Sequence, residues 1–143
     1  MLTTDRDRYS VRRTADALEL DIVSTFTNRG AKTVYLHPCG TVQPSFFLEK
    51  WVNGAWEPAY NPPCPAMLMV DPPGVAPGAS RTDTVRVRAL TAANSFPRFE
   101  VDPTGGYFRL VYAQAYASWR PNEGSGELVP REQRSSPAFR IED

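Results

Sequence analysis

Proline placement limits this chain more than any other feature. Its fourteen prolines include Pro62-Pro63, Pro65, Pro72-Pro73 and Pro77, followed by Gly78. Each lacks a backbone N–H and clashes with a preceding helical turn, so none of these sites fits inside a helix or a central strand. What lies between them is cut into short segments. No window sustains apolar residues every three to four positions, which excludes long helices. Alternation recurs instead. Leu18, Leu20, Ile22 and Phe26 fall on one side of an extended chain, with Glu19, Asp21, Thr25 and Thr27 on the other. That pattern is a strand with one face packed and one wet, ending in the turn Asn28-Arg29-Gly30.

The same reading gives the remaining strands. Arg8 to Arg12 is an edge strand with Tyr9 and Val11 inward, and Thr33 to His37 is a short one. Phe46 to Val52 and Trp56 to Tyr60 flank Asn53-Gly54, a pair that tolerates positive φ and signals a tight hairpin. Met67 to Val70, Thr82 to Val87, Tyr107 to Tyr116 and Ala138 to Ile141 complete the set. About seven to nine short strands separated by turns describe a sandwich or a small barrel. The chain of 143 residues is expected to form one all-β domain over residues 1–143, loose at 1–7. Asn122 to Gly126 reads as a flexible loop tip. Gly105-Gly106-Tyr107 opens the long strand, as a tyrosine corner opens an immunoglobulin F strand; otherwise Tyr107 is a half-buried strand aromatic. Arg109 stands where antibody domains carry their second cysteine.

Charge excludes several functions. Acidic and basic residues number 16 each, so the electrostatic field of a nucleic-acid or membrane-surface binder is missing. No stretch reaches the roughly 20 apolar residues of a membrane span. Met1 leads into a polar run, Thr3-Thr4-Asp5-Arg6-Asp7-Arg8, unlike a signal peptide. The expectation is either a cytoplasmic protein or the mature part of an exported one that has lost its leader.

Thr25-Phe26-Thr27-Asn28, Thr33-Val34-Tyr35-Leu36, Phe47-Leu48-Glu49-Lys50, Pro77-Gly78 and Gly106-Tyr107-Phe108-Arg109-Leu110-Val111 together resemble small bacterial immunoglobulin-like domains of exported proteins and lipoproteins. In outline the chain is also similar to the bacterial intracellular proteinase inhibitor domain. The resemblance covers about Leu18 to Ile141 and implies an immunoglobulin-like antiparallel β-sandwich with an extracytoplasmic address, secreted, periplasmic or at the cell surface. It carries over no catalytic residue. Cys39 and Cys64, the two cysteines, each adjoin proline. They suit one disulfide or, in a cytosolic protein, two free thiols; the address implied by the resemblance selects the disulfide.

Chemical motifs are sparse. His37, Cys39 and Cys64 provide too few ligands for structural zinc, which normally takes four, so no metal or cofactor is expected. His37 is the single imidazole, and Gly124-Ser125-Gly126 lacks the spacing of a nucleophile elbow. Asp71, Glu100 and Asp102 lie near turns, where carboxylates commonly bond their own backbone. The chain is therefore read as a non-enzyme. Among the aromatics, Trp51 and Tyr112 are expected in the core. Trp56 at the hairpin, Tyr60 beside it and Trp119 after the long strand are candidate binding anchors, with Arg131 further along the loop 117–135. Alternatively, Trp119 plugs an open end of the sandwich. The expected function is a non-catalytic binding module whose partner is a protein or an envelope polysaccharide, contacted through loops or an edge strand. Two alternatives stand beside it: a proteinase inhibitor using the proline-rich stretch Asn61 to Pro65, and a structural spacer domain.

Overall fold

The computed structural model describes residues 1–39, 43–64 and 71–143. The strand expected at Met67 to Val70 and the end of the stretch at Pro65 lie outside them. The alternating segment forms β4 (Ala17–Thr27) and pairs along its whole length with β9 (Ser80–Leu90), Ala17 facing Leu90 and Thr27 facing Ser80. Leu20, Ile22 and Phe26 are buried, as are Val85 and Val87 opposite. Ser24 lies in the same inward row. Its hydroxyl is buried against the Tyr112 hydroxyl at 2.6 Å and donates to the Asp83 carbonyl, so the polar group enters the core already satisfied. Burial pushes the Tyr112 phenol well above its ordinary value.

The other edge of β4 carries β1 (Leu2–Thr4) and β3 (Arg12–Arg13). The N-terminal seven residues, expected to be loose, thus contribute a paired strand. Leu2 is fully buried opposite Phe26, and the Asp5 N–H donates to the Val23 carbonyl. One apolar anchor outweighs the polar run around it.

Facing this sheet is a second, antiparallel one built from β6 (Phe46–Val52), β7 (Ala55–Tyr60) and β10 (Phe108–Tyr112), in the order β10-β6-β7. Asn53 and Gly54 make the predicted tight turn, both at positive φ. Phe46, Leu48, Phe108, Leu110 and Tyr112 fill the space between the sheets with the apolar face of β4 and β9. A third sheet joins β5 (Val34–Leu36) to β8 (Gly74–Val75) and β11 (Ala115–Tyr116). The run from Tyr107 to Tyr116 is therefore not one strand. At Ala113 and Gln114 the chain leaves β6 and joins β5. Parallel pairing of β2 (Arg8–Ser10) with β14 (Arg140–Glu142) closes the fold and buries Tyr9 and Ile141.

The result is all-β, packed sheet against sheet. Among the described residues there is no α-helix, and no helix is long and apolar enough to cross a membrane. Apart from Met67 to Val70, which lies outside the described residues, the expected strands have counterparts but several are subdivided; the described residues form fourteen strands, of which five have only two residues. Tyr107 does not form a corner: it is 51% exposed, and the Arg140 guanidinium lies over its ring. Residues 117–135 are structured as well. β12 (Trp119–Arg120) pairs with β13 (Gly124–Ser125), so the expected flexible tip is a hairpin turn. A 3-10 turn follows at Arg131–Gln133, and the buried Arg134 donates to the carbonyls of Val129 and Tyr112.

Candidate binding surface

The outward face of the β10-β6-β7 sheet concentrates unusual side chains. Glu49 is only 5% exposed although it points away from the sandwich core. The Arg109 Nε donates to its Oε1 at 2.8 Å, and an Arg131 terminal nitrogen donates to its Oε2 at 2.7 Å. Each carboxylate oxygen thus holds one guanidinium. Both arginines also cover aromatic rings, Arg109 over Trp56 with Cζ 4.6 Å from the centroid and Arg131 over Phe47 at 5.0 Å. Such contacts are each worth about 0.5–2 kcal/mol, more as water is excluded. Trp51 meets Trp56 edge to face across the hairpin at 5.3 Å, with 67° between the rings.

This arrangement follows from strand parity. Phe47, Glu49 and Trp51 alternate outward on β6 while Phe46 and Leu48 point inward. Arg109 stands opposite Glu49 in the register, and Trp56 stands opposite Trp51. Tyr107 precedes β10 beside Trp51, whose backbone N–H donates to its carbonyl. Trp56, Trp51 and Tyr107 therefore form a row across three neighbouring chain segments. Arg131 reaches the same patch from the 3-10 turn. Lys50 points the other way: its ammonium donates to the carbonyls of Asp102 and Thr104 and lies over Phe108, closing the end of the sandwich.

The sequence-derived candidates separate on this frame. Trp56 and Arg131 come together through Glu49 and Arg109. Trp51, expected in the core, is instead 45% exposed. Tyr60, expected as a surface anchor, is 2% exposed, and its hydroxyl donates to the Arg88 carbonyl. Alternation counted from Trp56 would keep it outward. The register instead steps from Glu49 opposite Pro58 to Leu48 opposite Tyr60, and this irregularity turns Tyr60 inward. Trp119 is half-buried on the β12–β13 hairpin against Tyr35 of β5, in another part of the fold. Sequence reasoning misses Glu49 and Arg109, because their partnership joins residues far apart in the chain.

Elsewhere the chemistry is thin. Cys39 and Cys64 form a disulfide with their Cα atoms 5.2 Å apart, which anchors the exposed end of Asn61–Cys64. His37 Nε2 lies 3.1 Å from the Ser125 hydroxyl, and its ring packs edge-on against Tyr116. Burial lowers its pKa below the ordinary 6.5. Among the described residues, no carboxylate bonds its second nitrogen, and no three His, Cys, Asp or Glu side chains are grouped to hold a metal. No family model, curated protein or solved structure matches the chain.

Proposed function

We propose that the chain is a non-catalytic binding module, an immunoglobulin-like sandwich that holds a macromolecular partner on the outward face of its β10-β6-β7 sheet. One observation carries this reading: exposed Trp51 and half-buried Trp56 stand beside two arginines already locked on a nearly buried glutamate. Trp, Tyr and Arg are the residues most often found at interface hot spots. Their long side chains normally lose much conformational freedom on binding. Here the Glu49 bridges and ring contacts hold them beforehand, which lowers that cost. The disulfide supports an oxidising, extracytoplasmic setting for the module.

The test works with the ligand still unidentified. Peptide-display libraries and glycan arrays are screened with the intact protein, Trp51→Ala and Trp119→Ala. The proposal expects ligands that Trp51→Ala loses and Trp119→Ala keeps. Ligands indifferent to Trp51, or dependent on Trp119 alone, would place the site elsewhere.

A further inference from the structure

Hydrogen-bond polarity narrows what this face accepts. The indole N–H groups of Trp51 and Trp56 and the Tyr107 hydroxyl have no partner among the described residues. Indole and guanidinium groups donate and never accept. Glu49 is the carboxylate among these clustered side chains, and each of its oxygens already takes a guanidinium. Burial keeps Glu49 from a ligand, so the face is rich in aromatic surface and donors, and among these clustered side chains the Tyr107 hydroxyl is the exposed group that can also accept. A complementary ligand offers acceptors and few donors of its own. Polysaccharides bring a hydroxyl donor with nearly every acceptor. An extended peptide brings an N–H at every residue, and β6, which carries Trp51 in the middle of the sheet, has its backbone paired on both sides by β10 and β7. Proline keeps the carbonyl and lacks the N–H.

Shape points the same way. Trp51 and Trp56 meet at 67°, forming an angle rather than a flat floor, and a compact pyrrolidine ring fits such an angle better than a broad sugar platform does. The row Trp56–Trp51–Tyr107 crosses two inter-strand gaps, or about 10 Å at the usual strand spacing. One turn of a polyproline II helix advances about 9 Å over three residues. Prolines three apart therefore meet the two ends of the row, with Trp51 between them. From this, and resting on the binding role proposed above, we infer that the face takes a proline-rich polypeptide segment in the polyproline II conformation. Such segments are largely preformed, so little ordering opposes docking.

The intact protein is titrated with synthetic decaproline, with otherwise matched peptides carrying prolines at every third or every second position, with a glutamate decapeptide and with polygalacturonate. Indole N–H resonances report each tryptophan separately. The inference expects decaproline to shift the Trp51 and Trp56 signals and leave Trp119 unmoved. It also expects the three-residue spacing to bind more tightly than the two-residue spacing. Trp51→Ala should weaken binding about tenfold or more while the Trp119 signal stays native. Absence of shifts at Trp51 and Trp56 with decaproline, measured on the unmutated protein, overturns it. If polygalacturonate or the glutamate peptide binds instead and Trp51→Ala removes that binding, the proline-rich ligand is wrong while the face remains a binding site. Ligands whose binding survives Trp51→Ala overturn both.

Discussion

Asn28 ends β4 with its side chain almost wholly buried. Its amide nitrogen donates to the carbonyls of Lys32 and Val75, at 2.7 and 2.8 Å, while its Oδ1 accepts from the Gly30 N–H at 3.0 Å. The residue thus fixes its own turn and ties it to β8. Sequence marks the turn but not the long-range bond to Val75. Truncation leaves a buried carbonyl without a donor, a loss that typically costs about 2 kcal/mol. For a domain of this size that lowers the melting temperature by roughly 5 °C. Asn28→Asp separates donation from shape: it keeps the outline and the bond to Gly30 but turns a carboxylate toward two carbonyls. Thermal melts should rank Asn28→Asp as at least as damaging as Asn28→Ala. A near-neutral aspartate would mean that the amide donors do little.

At the scale of elements, legibility follows locality. The alternation of β4 and the Asn53-Gly54 turn are written in adjacent residues, and both form as read. The β6 face is ambiguous in sequence because Phe46, Phe47 and Leu48 are consecutive apolar residues, so hydrophobicity does not say which side is wet. Glu49 marks the outward parity, but the arginines that make its burial tolerable stand 60 and 82 positions later. The β12–β13 hairpin is equally hidden, since its two-residue strands carry no period. That hairpin is tied down beside the β5 segment through His37 and Ser125. Burial lowers the His37 pKa, so the unfolded chain takes up a proton more readily than the folded one. The stabilising contribution is complete above the ordinary value of 6.5 and is lost as pH falls through the lower folded value. Asp21 follows a separate window: its hydrogen bond with Arg86 holds it below 3.8, so its contribution is lost only in stronger acid. Melting temperature should therefore decline as pH drops from 7 toward 5, and His37→Gln should flatten that decline. An unchanged slope in the variant would remove His37 from the account.

For the whole molecule, the Cys39–Cys64 disulfide joins chain that follows β5 to chain that follows β7, and so links the third sheet to the second. The crosslink spans 25 positions, and closing a loop of that size restricts the unfolded chain by about 3.5 kcal/mol on the chain-entropy estimate. A domain with a typical 5–15 kcal/mol of stability survives that loss. Survival is also expected structurally. The β4–β9 ladder, the β6–β7 hairpin and the Glu49 bridges hold without the sulfurs. The double variant Cys39→Ser, Cys64→Ser should consequently melt roughly 10 °C lower but still fold cooperatively. Its Trp51 and Trp56 indole resonances should keep their native positions, because the binding face is assembled by strand pairing and not by the crosslink. Alkylation of denatured, unreduced native protein from an oxidising compartment should add no mass. Uptake of two alkyl groups would instead show free thiols and remove the support for an extracytoplasmic address. Loss of the indole positions in a variant that still folds would tie the binding face to the disulfide after all, and the face could then form only where the bond is kept oxidised.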